Sequence, residues 1–408
     1  MKLLPAAALL AALLPVLAPA APTLTVTVAN PLAAPRAAET ITVPWTAVAR
    51  ALPGALLQHL EVRDAAGRVL AYQVTNVAPN ARDPQNVGAG YGDLIFQHDF
   101  AAGEAAATFT VVRAEAVAPV FPARVFARFV PERYDDFAWE NDKIAHRTYG
   151  PELAAPDTAH TGKEVATESG LDVWSKKVSY LIVDRWYNKG GSHYHKDEGE
   201  GMDMFDVGKS RGCGGTGIWD GRTLATSGNF ATWRVLANGP IRAVFELTYP
   251  AWEAHGRRVA EVKHFTVDAG HNLDELESTF TDLDGRPDPL TVAIGLTKDS
   301  ADHGQEGRSE YAAVPDDGSA TVWEVEKTNG SIGTAIIVPG ASFAGLAEDP
   351  LNHLVLATAV PGRPLRYLVG AGWSKAGEFT SRAAWQQYVA GWAARLRAPV
   401  AITLAATP

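Results

Sequence analysis

Residues 241–252 read IRAVFELTYPAW, residues 257–270 read RRVAEVKHFTVDAG, and residues 274–283 read DELESTFTDL. Each is a run of about ten β-prone residues, and only short turns such as HGR and AGHN separate them. Parallel strands would need crossovers of a dozen or more residues, so these runs predict antiparallel neighbours in a large sheet. Downstream, LTVAIGL (290–296), GTAIIVP (333–339), NHLVLATAV (352–360) and PLRYLVGAGW (364–373) continue the pattern. Between residues 23 and 116 the runs are shorter: LTVTVAN, ETITVPWTAV, HLEVRD, VLAYQVTNV, DLIFQHDF and AATFTVVRA. Alternation such as Leu60-Val62 and Thr108-Thr110-Val112 fits the half-buried strands of a sandwich. VSYLIVDRWY (178–187) reads as one more strand. A single helix is expected over SRAAWQQYVAGWAARL (381–396), where Trp385, Tyr388, Val389, Trp392 and Leu396 share a stripe and Thr380 or Ser381 can cap the start. PVAITLAA (399–406) supplies a last strand.

The fold class is therefore all-β, with a smaller N-terminal β-sandwich portion over residues 22–116, a larger domain over 117–408 and one amphipathic helix near the C-terminus. AEAVAPVFPAR (114–124) reads as a linker or a crossover between sheets. Residues 1–21 carry Lys2, an apolar run broken by Pro5 and Pro15, and small residues at Ala18, Ala20 and Ala21. That is the layout of a secretory signal peptide, so a periplasmic or secreted protein with no membrane span after its removal is expected.

The chain has 408 residues, 47% of them hydrophobic, enough to bury a sizeable core. A formal charge of −10 brings no counterion-release affinity, so nucleic acid is not an expected partner. The single Cys213 excludes an intrachain disulfide and, set in RGCGGTG, has no evident base to make it a nucleophile. No glycine-rich phosphate-binding pattern opens a helix, which argues against a nucleotide cofactor.

Chemistry concentrates in residues 185–220, RWYNKGGSHYHKDEGEGMDMFDVGKSRGCGGTGIWD. Ionisable groups crowd there beside glycines, which let backbone approach a ligand closely. His195, Tyr194 and His193 are the candidate catalytic residues, the first two for proton transfer. Arg185, Tyr187, Asn188, Lys209 and Arg211 are candidates for holding an acidic substrate. Upstream, Trp139, Glu140, Asn141 and Asp142, with His146 and Arg147, mix aromatics with carboxylates as sugar sites do, and are expected to form the opposite wall. Residues 139–147 should then touch residues 185–206. His193, His195 and Asp197 stand at i, i+2 and i+4, one face of an extended strand, and could hold a divalent metal, Ca or Zn. The carboxylates Glu198, Glu200, Asp203 and Asp206 also permit hydrolysis or epimerisation.

DDFAWENDKIAHRTYGPEL (135–153), LDVWSKKVSYLIVDRWYN (171–188) with YHKDEGEGMDMFDVGKSRGCGGTGIWDG (194–221), and AGWSKAGEFTSRAAWQQYV (371–389) resemble the secreted bacterial family catalogued as domain of unknown function 4861. The resemblance implies an association with bacterial polysaccharide breakdown and a β-supersandwich similar to galactose-mutarotase-like and polysaccharide-lyase domains. It brings no residue roles with it. The expectation is a carbohydrate substrate, uronic-acid-containing, cleaved by β-elimination. A glycoside hydrolase, a sugar epimerase and a non-catalytic carbohydrate-binding protein are the alternatives.

Overall fold

The computed structural model describes residues 21–75, 91–159, 162–163, 165–298, 308–326 and 328–407. Apart from Ala21, the expected leader lies outside the described residues. Among the described residues no helix is long and apolar enough to cross a membrane.

Short alternating strands build a small sandwich first. Thr23–Ala29 buries Leu24, Val26 and Val28, while its threonines alternate to the half-exposed face. It sits between Ala106–Arg113 and Ala401–Thr407 in a five-stranded sheet that continues through Leu60–Arg63 to Val69–Leu70. A second sheet of Arg36–Pro44, Asp93–Phe100 and Tyr72–Val74 packs on it over Ile41, Val43, Phe96, Phe109 and Val111. The last strand of the chain is thus an edge of the N-terminal sandwich, with Thr23 opposite Thr407 and Ala29 opposite Ala401. ETITVPWTAV, expected as one strand, splits at Pro44 into a strand and the helix Trp45–Ala51, whose indole packs edge-on against Tyr91 at 5.0 Å.

The long runs form an antiparallel sheet of eight. Its order is Thr232–Ala237, Arg242–Ala254, Arg257–Asp268, Leu273–Asp282, Pro364–Trp373, Ile332–Ile337, Ser319–Val325 and Arg308–Val314. Two five-stranded sheets share its inner face. One, the site sheet, lies over the first half through Phe137 on Phe245 (4.6 Å) and Trp139 on Phe265 (5.1 Å). The other contains Cys213–Trp219, Leu290–Thr297 and Asn352–Ala359 and lies over the second half. There the layers approach so closely that a Cβ on Gly214 (φ +104) would stand 2.3 Å from Val369 Cγ1, so only glycine serves. Cys213 beside it is buried, donates to the Gly370 carbonyl at 3.3 Å and is pushed up to about 12 by burial, which makes it a packing residue. The arrangement is the large antiparallel double layer expected from the sequence. On its outer face the helix Arg382–Arg397 buries Trp385, Val389 and Ala393, and Ser381 caps it by accepting from the Ala384 N–H.

Between the layers lies a polar pair, Asp274 and His146. Asp274 accepts from Trp139 Nε1 at 2.8 Å and faces His146 Nε2 at 3.8 Å. Burial raises Asp274 to about 7 and lowers His146 to about 4, so each is held near its neutral form. A carboxyl whose folded pKa lies above its unfolded value destabilises as pH rises through that folded value. Asp274→Asn is expected to raise the melting temperature at pH 8, with a gain of up to about 4 kcal/mol that fades to nothing near pH 4. A gain of the same size at both ends, measured by thermal melts across that range, would contradict the assignment.

Candidate functional site

The site sheet has the order Gly201–Asp203, Asp172–Lys176, Ala145–Thr148, Asp136–Asn141, Val125–Val130. Strand alternation sorts its residues between two faces. Phe137, Trp139 and Asn141 go inward, where Asn141 donates to the Asp268 and His271 carbonyls at 2.7 Å each. His146, directly opposite Trp139, goes inward with it and stacks on its ring at 5.4 Å. Asp136, Glu140, Arg147, Asp172, Trp174, Lys176 and Asp203 take the outer face. The sequence expectation that residues 139–142 and His146 form a cleft wall is therefore corrected: Trp139, Asn141 and His146 are core residues. Asp142 sits at the strand's end, paired with Arg124 at 2.5 Å and accepting from the Gly270 N–H.

Glu140 is an anchor. It accepts from Lys176 Nζ (2.8 Å) and from the Ile182 and Val183 N–H groups (2.8 Å each), and both side chains are fully buried. Lys176 Nζ also donates to the carbonyls of Asn141 and Tyr180. The Glu140 carboxylate thus satisfies backbone donors at the start of the helix Val183–Lys189, where local residues offer no cap. This corrects the strand expected over residues 178–187. Trp186 and Tyr187 on that helix, and Tyr194 on the following turn Gly191–Tyr194, close over Trp174 at 5.4, 4.9 and 5.0 Å.

Arg147 is the centre of the outer face. Its Nε and Nη2 donate to Asp172 Oδ2 at 2.9 and 2.5 Å, Nη2 reaches Asp203 at 3.2 Å, and Asp136 stands 3.8 Å from Nη1. The rings of Tyr149 and Trp174 lie against the guanidinium at 5.1 and 5.3 Å. Three buried carboxylates gather around Arg147, and Arg133 adds a second cation near Asp136, so the cluster holds protons. Burial raises Asp136 to about 6, raises Asp172, and with the Asp172 charge beside it lifts Asp203 well above the carboxylate range.

This cluster forms the floor of an open cleft of about 660 Å³, lined among others by Arg133, Tyr149, Glu168, His195, Asp203 and Asp206. The two distant segments do meet here, Arg147 against Asp203. His195 stands on the rim with its side chain 56% exposed, and its Nδ1 lies 3.2 Å from the Asp203 carbonyl and 3.6 Å from the Asp203 carboxyl. A carbonyl only accepts, so Nδ1 carries a hydrogen, and in the neutral ring the lone pair is on Nε2. Burial holds the Tyr149 phenol well above its ordinary value, hence protonated. Arg133 packs its guanidinium over Tyr134 at 4.9 Å, and its Nη1 is buried with no hydrogen-bond partner.

The other expected residues fall elsewhere. Tyr194 and Tyr187 are covered and face Trp174. His193 is exposed and bonds Glu198 at 2.8 Å; Arg185 pairs with Glu200 at 2.5 Å; Asn188 is exposed on the same helix. Arg211 is buried, donates to Ser169 Oγ at 2.8 Å and is lowered to about 10 by burial. Lys209 lines a smaller hollow next to the cleft. The metal set His193, His195 and Asp197 does not assemble, because His193 lies in a helical turn rather than a strand, and Asp197 is taken by Lys177 at 2.7 Å and the Gly199 N–H. Among the described residues no three His, Cys, Asp or Glu side chains converge as metal ligands.

Tyr149, Asp172 and Glu168 were not expected. Tyr149 had a signal: it follows Arg147 by two residues and so shares its face. Asp172 opens the otherwise apolar DVW, an ionisable group in a buried strand that needed a partner.

The family model for "Domain of unknown function (DUF4861)" matches residues 28–402. The chain belongs to this family. A relative from Formosa agariphila, "Uncharacterized protein P7", is 32% identical over 289 residues, covering 68% of this chain and 69% of its own. Among solved structures, an α-mannosidase from Enterococcus faecalis is similar with TM-score 0.45 and 11% identity over 95% of this chain and 46% of that one. A glycosyl hydrolase family 38 protein from the same organism gives TM-score 0.45, 12% identity, 95% and 47%. The DUF4861 chain spans about half the length of these two structures.

Proposed function

We propose that the protein is a carbohydrate-active enzyme working in the Arg147 cleft, and that it cleaves uronic-acid-containing glycans by β-elimination. The observation that carries this reading is His195, tied through Nδ1 to the Asp203 carbonyl so that Nε2 is left as a base on the rim. Nε2 takes the proton alpha to the uronate carboxyl. The C–H electron pair becomes the new double bond, the bond from C4 to the glycosidic oxygen breaks, and the leaving oxygen takes a proton from the Tyr149 hydroxyl. Arg133, a cation in the same cleft whose Nη1 has no hydrogen-bond partner among the described residues, receives the substrate acid and offsets the charge that develops on it.

Hydrolysis is the second reading, supported by one observation: Asp203 is kept protonated beside Asp206 and Glu168, an acid with carboxylate neighbours in one cleft. Incubation with a panel of uronate glycans separates the two. Elimination yields products with unsaturated-uronate absorbance, and Arg133→Gln is expected to raise KM about tenfold or more, as loss of a charged hydrogen bond does. New reducing ends with no such absorbance would replace elimination by hydrolysis. Retention of sugar with no turnover would make the protein a binding module.

A further inference from the structure

The cleft does not end at Asp206. Asp206 and Gly208 also line a second hollow of about 160 Å³, shared with Lys209, Ser210, Thr297, Lys298, Pro350 and Leu351. The two spaces have this short turn as a common wall, where the Gly208 N–H donates to Asp206 Oδ1 at 2.9 Å.

Their charges differ. The large lobe sets Glu168 and Asp206, with the protonated Asp203, against the cations Arg133 and Arg147. Among the described residues the small lobe is lined by two ammonium groups, Lys209 and Lys298, and by one carboxylate, the shared Asp206. Lys298 pairs at 2.8 Å with Glu348, a 67% exposed carboxylate that does not line the hollow, and an exposed pair of this kind is weak enough to be shared with a bound anion. On a chain of formal charge −10, a hollow lined by two ammonium groups and one carboxylate favours an anion. Its volume falls below the roughly 300 Å³ at which small-molecule pockets begin, which suits one ring and no more.

We infer that this lobe is a second subsite, in which Lys209 and Lys298 hold the carboxylate of a neighbouring acidic sugar while the first unit lies over Arg147. The inference rests on the uronate reading above and deepens it: the substrate is an oligomer acidic at more than one unit, not a glycan with an isolated uronate.

The test compares oligogalacturonides and oligoalginates of two and four units, with a neutral mannan oligomer as control, on the full chain. For whichever series is turned over, the wild type should favour four units over two. The double variant Lys209→Gln/Lys298→Gln should raise KM for four units about fivefold or more while leaving two units and the melting temperature unchanged. Lys209→Arg/Lys298→Arg should keep the preference, and added salt should erase it. An equal effect on both lengths, or none on either, overturns the subsite while the uronate reading stands. Absence of binding and turnover with every acidic oligomer overturns that reading, and the subsite with it.

Discussion

Replacing His195 with alanine is expected to lower turnover by about 10²–10⁴ while glycan binding stays close to wild type. Proton abstraction from carbon needs a lone pair held at a fixed place. The Asp203 carbonyl fixes it by accepting from Nδ1, 3.2 Å away. The side chain is more than half exposed, so folding stability should move by no more than about 0.5 kcal/mol on truncation. Turnover and binding must be read together. Equal loss in both would make His195 a ligand contact, whereas loss of turnover alone, with disappearance of the acid limb of the rate profile, identifies the base.

Arg147→Met should be the most damaging single change to stability, about 3–5 kcal/mol at neutral pH. Methionine keeps much of the volume but leaves Asp136, Asp172 and Asp203 buried without their cation. These carboxyls already sit above their unfolded values, chiefly through burial. The sign of the pH dependence follows: their contribution is most favourable below about pH 4 and is lost as pH rises, through about 6 for Asp136. Without the guanidinium that loss steepens, so the variant should be much closer to wild type at pH 5 than at pH 8. Chemical denaturation at both values measures it. A deficit independent of pH would mean that the arginine matters for packing on Tyr149 and Trp174 rather than for charge.

Much of the scaffold could be read from residue order, because its signals are local. Runs such as RRVAEVKHFTVD and the Trp385–Val389–Trp392 stripe with Ser381 before it declare strand and helix within a dozen residues. The helix Val183–Lys189 could not be read that way. Its β-branched start favours a strand, and the carboxylate that stabilises it belongs to Glu140, 42 and 43 positions earlier. The site was half legible for a related reason. Proximity of the Trp139 and His195 regions was inferable from chemistry, but which residues face the cleft depends on alternation. That rule, applied from Arg147, selects Tyr149 and rejects His146. Arg185 and His193 were credible ligands only while Glu200 and Glu198 were not known to occupy them.

The pairing of Thr23–Ala29 with Ala401–Thr407 joins strands from nearly opposite ends of the described chain. Until Ala401–Thr407 has been made, a folding polypeptide therefore carries an unfilled β edge along Thr23–Ala29, open to any stray extended segment. Docking of that late strand retires the hazard, so the order in which the two strands emerge, and not only the strength of the finished core, sets when the protein is vulnerable.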